Sequence, residues 1–201
     1  MDKIVFLFGR KAPQTHAEFA EHYLHHHAPL GLEVAVQMDG YTVNLVPDEA
    51  AAIDAVTETW TPSIDAFMDP QRAFANEADM VELMTDDASF IGTTQPYVVA
   101  EELSVGAWPD GPTRVRTPGM KRISLHPTDA TVPSADRVDG PQRVVRNRVL
   151  QALAPDAPEL AVILLEWAES VDALTPLDSS SVVSYLVEEH VQRQPSERAT
   201  G

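Results

Sequence analysis

The chain has 201 residues, of which 14 are Lys or Arg and 31 Asp or Glu, so its net charge is −17; it contains no cysteine. That charge excludes a nucleic-acid binder, which needs clustered cations for the phosphates, and a protein held on anionic lipid. The absence of cysteine excludes disulfides, thiolate metal sites and a cysteine nucleophile, and a hydrophobic content of 44% is that of a globular rather than a disordered chain.

Taken in chain order, Lys3 to Phe8 is a short apolar run that reads as a buried strand, ended by Pro13. It is too short for a signal-peptide core and is followed at once by Arg10 and Lys11. No window approaches the roughly 20 apolar residues of a membrane span, so a soluble, cytoplasmic protein is expected. Thr15 and Glu18 have the spacing of a capping box, in which hydroxyl and carboxylate satisfy orphan amides at a helix start. The helix they open carries the stripe Phe19, Tyr23, His26 or His27, and Leu30, and is expected to stop at Pro29. Gly40 begins a second strand reaching Val46, and Ala55 to Thr61 is a third. Ser63 caps a helix beginning at Ile64, and Phe74 and Met80 to Met84 continue a helical region. Tyr97 to Leu103 is the fourth strand. The order β-α-β-β-α-β is the ferredoxin-like arrangement.

The chain then repeats itself. Residues 59–67 (TWTPSIDAF) match 166–174 (EWAESVDAL), and 97–103 (YVVAEEL) match 185–191 (YLVEEHV). Residues 40–46 match 144–150 with the register set by Asn44 and Asn147, and 2–8 match 120–126. Four matched segments in one order indicate a tandem repeat. The second copy has a Pro-containing loop, 127–142, where the first has its His-rich helix, and its second helical segment is shorter. The expected organisation is a first repeat over 1–103, a linker over 104–119, a degenerate second repeat over 120–192 and a frayed tail over 193–201. One such sheet leaves a face exposed, and two packed face to face bury both. The expected fold is therefore α+β, with two ferredoxin-like repeats forming an α/β-barrel from two antiparallel sheets. The charge is lopsided: residues 1–103 hold 4 basic and 18 acidic side chains. Arg143, Arg146 and Arg148, on the second strand of the second copy, are expected to face that acidic half.

KIVFLFGRK, the helix EFAEHYLHHHAPL and the strand GYTVNLV together resemble the EthD family of the dimeric α/β-barrel superfamily. The family helix reads approximately F-x-x-Y-W-x-x-x-H-x-P-L. Phe19, His22, Tyr23, His27, Pro29 and Leu30 stand at those places, with His22 and Tyr23 departing from the Tyr-Trp pair. The resemblance implies a pocket between sheet and helices and a single site, since the second copy has no counterpart of His27. Superfamily members include monooxygenases, lactone isomerases, polyketide cyclases, dehydratases and haem-binding enzymes, so fold does not fix function.

Five of the seven histidines lie within 16–27. His22 and His26, four apart, share a helix face as two zinc ligands would, but the sequence signposts no third ligand and no metal is assigned. His16 and His25 read as solvated. His27, at the helix end, either caps terminal carbonyls or faces an apolar pocket as an acid/base group. Tyr23, one turn earlier, either donates to a substrate oxygen or is a core aromatic. Asn44 and Trp60 recur as Asn147 and Trp167, which favours backbone bonding and core packing; if they face the pocket they would orient and stack a ring. There is no Gly-rich phosphate loop and no G-x-S-x-G elbow, so no cofactor is assigned.

These features lead to a cofactor-independent acid/base enzyme of isomerase, cyclase, dehydratase or lyase type, acting on a small hydrophobic, aromatic or polyketide-like substrate. His27, Tyr23 and His22 are its candidate catalytic residues, and Phe19, His26, Asn44 and Trp60 its candidate substrate contacts. The alternatives are a non-catalytic small-molecule-binding accessory protein of an oxidative pathway and a haem-binding protein. No nucleic-acid or membrane partner is expected, and exposed sheet edges could pair two chains as a homodimer.

Overall fold

The computed structural model describes residues 1–108, 111–132, 140–177 and 180–196. The first half supplies strands β1 (Asp2–Arg10), β2 (Gly40–Leu45), β3 (Ala55–Thr61) and β4 (Ile91–Val105). The second supplies β5 (Met120–Pro127), β6 (Arg143–Ala152), β7 (Leu160–Ala168) and β8 (Val183–Arg193). All pair antiparallel and close into one barrel in the order β1-β3-β2-β8-β5-β7-β6-β4. Each half therefore has the ferredoxin-like order 4-1-3-2, and the two sheets join along β2–β8 and β4–β6. Closure within one chain leaves no free edge in the barrel sheet for a second chain to extend.

Several matched positions of the two halves make alike contacts. Asn44 Nδ2 donates to the carbonyl of Val56 at 2.8 Å, and Asn147 Nδ2 to that of Ile163 at 3.2 Å. Lys3 pairs with Trp60 and Lys121 with Trp167 across adjacent strands. Each ammonium lies over its indole, at 4.5 and 4.4 Å from the ring centroid. Trp60 Nε1 donates to Glu101 and Trp167 Nε1 to Glu189. Between β5 and β6 the described residues form no helix, and residues 133–139 of the loop expected there lie outside the described set. The second helical segment of this half is a single 3₁₀ turn, Val171–Ala173.

Alternation along each strand sorts side chains between the barrel interior and its outside. At one end the interior is an apolar plug that includes Leu7, Val56, Val99, Ile123, Ile163 and Leu165; fully burying each such side chain contributes about 1.5–3 kcal/mol. At the other end it is charged. Lys121 Nζ donates to Asn44, Glu58 and Glu189, each at 2.7 Å, while Lys3 bonds Glu58 at 2.7 Å and also Glu101. These carboxylates and ammonium groups are almost wholly buried. Burial pushes Glu58 and Glu189 up, but the lysine charges and hydrogen bonds outweigh it and hold both below the usual carboxylate range.

The helices lie on the outer face of the first sheet. Thr15 and Glu18 make both arms of the expected capping box for α1 (His16–His22). Contrary to the expected stop at Pro29, the helix continues through a π-turn, Tyr23–His27, into α2 (Ala28–Val34). Pro29 directly follows the π-turn, whose wider backbone accommodates it within the continuous helix. Ser63 caps α3 (Ile64–Met68) as expected. The helical region beyond it is interrupted: α4 (Pro70–Ala73) ends before Phe74, which bridges to Ala35, and α5 (Glu77–Phe90) runs straight into β4. β6 lies beside β4 of the acidic half, with Arg146 opposite Glu102. Residues 193–196 are anchored rather than frayed: Arg193 donates to the carbonyls of Met38 and Leu32, and Ser196 N to Asp39. Residues 197–201 of the expected tail lie outside the described set, as do residues 109 and 110 of the expected linker. Among the described residues, no helix is long and apolar enough to cross a membrane.

Candidate functional site

A cavity of about 330 Å³ lies between the outer face of the first sheet and the helices, within the size range of small-molecule sites. Its floor follows from strand alternation. Phe6 and Phe8 project from β1 with their rings stacked at 5.4 Å, and Thr57 and Thr59 project from β3, whose alternate residues Val56, Glu58 and Trp60 turn inward. Tyr41 of β2 completes the floor. The roof comes from the helices and includes Ala35, Phe67, Ala73 and Leu83, with the exposed Met68 and Met84 also on the lining. Methionines adapt to irregular ligands. The end of α2 is tied to α4 by the Val36 amide, which donates to the Ala73 carbonyl at 2.9 Å.

His27 lines this cavity and is 7% exposed. Its Nδ1 lies 2.8 Å from Oδ2 of Asp86, a buried carboxylate on α5. With Nδ1 engaged, Nε2 is the ring nitrogen available to a ligand. The ring is held edgewise against Tyr23, at 5.1 Å between centroids, and tilted against Phe90 at 5.0 Å. A carboxylate that fixes tautomer and ring plane is the standard support of an acid/base histidine. Asp87, next along α5, also lines the cavity; burial pushes its carboxyl up, the His27 charge opposes this, and Asp86 adds to it.

The cavity has a second polar wall. Tyr41 donates to the Tyr23 hydroxyl at 3.2 Å, which lies 2.6 Å from Thr57 Oγ1. Burial pushes both phenols well above their ordinary value, so they stay neutral and act through hydrogen bonds.

Of the residues singled out from sequence, His27 is the one on the cavity wall. Tyr23 is fully buried one layer behind it and reaches the cavity through Tyr41 and Thr57. Phe19 packs against Phe90 and Tyr23 in the core under the helices. Asn44 points into the barrel, where it accepts from Lys121 and donates to Glu58 as well as to Val56. Trp60 lines a different, smaller cleft with Lys3 and Glu101. His22 turns away from the cavity, its Nε2 2.7 Å from Asp86 Oδ1, and His26 is mostly exposed with Nε2 3.3 Å from the same oxygen. His25 is exposed as expected, whereas His16 is half-buried, with Nδ1 3.1 Å from Asp54.

The π-turn explains how three imidazoles meet one carboxylate. Ala28 N–H bonds the carbonyl five residues back, at Tyr23, so the backbone is wider there and the residues four and five beyond His22 both reach α5. Asp86, Asp87, Tyr41, Thr57 and Thr59 were not anticipated. One sequence signal for Asp86 existed: it interrupts the buried stripe Leu83–Asp86–Phe90 of α5, where a solvated carboxylate does not belong.

No family model, EthD included, matches the chain, and no curated protein matches it in sequence. Solved structures do match its shape. An anthrone oxidase-like protein superposes with a TM-score of 0.60 at 12% identity, covering 98% of this chain and 96% of that one. A candidate monooxygenase from Lactobacillus acidophilus NCFM superposes with a TM-score of 0.51 at 10% identity, covering 96% of both chains. The chain thus shares the α+β barrel fold of these two proteins over nearly its whole length.

Proposed function

We propose that this chain is an enzyme that moves a proton to or from carbon on a small hydrophobic, aromatic substrate, with His27 as the acid/base group. The observation that carries this reading is the pairing of a buried His27 with Asp86 on the wall of an apolar cavity. Asp86 holds Nδ1, Nε2 takes a proton from an acidic C–H beside a carbonyl or phenol, and the Tyr41–Tyr23–Thr57 hydroxyls are placed to stabilise the oxyanion that forms. Phe6, Phe8 and Phe67 supply faces for an aromatic ring. Proton transfer of this kind needs no organic cofactor, and isomerisation, cyclisation or dehydration could each follow from it. The H-A-P-L helix supports placing the chain near the EthD proteins.

The fold neighbours favour a second outcome of the same step: the carbanion is handed to dioxygen, giving an oxidised ring and water. Anthrone is the probe that separates the two. Exchange of its acidic C–H in deuterated buffer without oxygen reports proton abstraction, and an oxygen electrode reports oxidation. Wild-type protein is expected to accelerate the exchange, and His27→Ala, folded by circular dichroism, to lose that acceleration. Undiminished exchange in His27→Ala rejects the assignment. Tight binding of anthrone without exchange or oxygen uptake favours an accessory binding protein, and a Soret band after haem addition favours haem binding.

A further inference from the structure

The outer side of the π-turn carries two histidines that proton transfer in the cavity leaves unused, both turned to the second oxygen of Asp86. Nε2 of His22 and Nε2 of His26 lie 2.7 and 3.3 Å from one atom, Oδ1 of Asp86, and the three donor atoms all fall within 4.8 Å of one another. Donors bound at about 2.0–2.1 Å to a tetrahedral ion stand about 3.3 Å apart. The two histidines sit four residues apart on one helical face, the spacing of helical zinc ligands. The third donor comes from α5 and is held in place by packing, since Asp86 is 8% exposed.

The surroundings favour a cation. His26 is 61% exposed, so the remaining coordination positions open to water. Glu18 and Glu21 line the surface cleft beside His22 and His26, in the half of the chain that holds 18 acidic and 4 basic residues. Two imidazoles and one carboxylate oxygen suit zinc, cobalt and their neighbours; calcium and magnesium prefer all-oxygen sets.

We infer that His22, His26 and Asp86 form a binding site for a divalent transition metal of the zinc and cobalt class. The ion would take Oδ1 of Asp86 while Oδ2 keeps its contact with His27 Nδ1, so that one carboxylate spans metal and histidine. The site lies outside the cavity and shares Asp86 with His27, but metal binding is tested without reference to the acid/base reading.

The test uses the metal alone. Metal-stripped full-length protein is titrated with Co²⁺, with visible d–d absorption and equilibrium dialysis as readouts. One equivalent per chain is expected to bind with a Kd of about 10 μM or tighter, giving the intense bands of a low-coordinate site, and Zn²⁺ is expected to bleach them. Because His26 is largely exposed, His26→Ala should fold normally and weaken binding about tenfold or more; Asp86→Asn should do the same. His25→Ala, one residue off the cluster, should leave the affinity unchanged. Binding weaker than about 100 μM, or equal losses from His25→Ala and His26→Ala, overturns the site, the latter by showing diffuse chelation along the histidine run.

Discussion

Replacing Lys121 with Met tests how the barrel interior is held together, because it keeps the aliphatic stem and removes the charge. Lys121 is 2% exposed, and its ammonium makes three contacts at 2.7 Å, two of them to the buried carboxylates of Glu58 and Glu189. After the change Glu58 keeps Lys3 at 2.7 Å, but the cation nearest Glu189 becomes Arg143 at 4.0 Å. Removing one partner of a buried pair costs about 3–5 kcal/mol, because the partner left behind is already desolvated. That loss is the expected difference in urea unfolding at pH 7, followed by circular dichroism. The pH dependence gives a second check. In the wild type Lys121 helps to hold Glu58 and Glu189 below their ordinary value. In the variant the folded state takes up protons on these groups more readily, so the stability deficit shrinks as pH is lowered from 7 towards 4.5. A loss under about 1 kcal/mol, or a deficit unchanged over that range, refutes the account of a charge network bracing the two sheets.

The same two carboxylates make the wild type acid-sensitive. Their folded values are depressed, so the stability they contribute is complete above the unfolded value near 4.5 and is lost as pH falls below it; unfolding at pH 3 should need less urea than at pH 6, and Glu189→Gln should flatten the difference. Ala73→Leu places three more carbons on the roof of the cavity and should weaken anthrone binding by isothermal titration while costing about 1–3 kcal/mol in stability; unchanged affinity would place the ligand elsewhere. His27→Gln should slow carbon–proton exchange by about 10²–10⁴-fold with little change in substrate affinity, whereas a loss confined to affinity would make His27 a binding residue.

Local signals in the chain proved sufficient for its local structure. Ala55–Thr61 is a strand with the expected limits, and Thr15, Glu18 and Ser63 capped the helices they were expected to cap. The repeat, anchored on Asn44 and Asn147, placed two residues that make the same backbone bond in two sheets. Features that depend on one residue's surroundings were harder to read. Pro29 usually stops a helix, but the π-turn before it lets the chain continue. Lys3 and Lys121 open apolar runs and look like strand-end charges; Glu58 lies beside Lys3 and Glu189 beside Lys121 on neighbouring strands of the same sheet, and barrel closure brings Lys121 of one sheet to Glu58 of the other.

The sequence by itself determined the strands, their order and the starts of the first helix and of the helix after Ser63, because period and caps act within a few residues of each other. It also singled out the histidine beside Pro29, which lines the cavity. Only the tertiary structure decided which histidine faces the cavity and what holds it. Asp86 is 59 residues beyond His27, and nothing local links the two; they meet because α5 packs across the π-turn on the sheet's outer face. The same packing turns His22 and His26 to the other oxygen of that carboxylate, so three histidines of the run meet one buried Asp86.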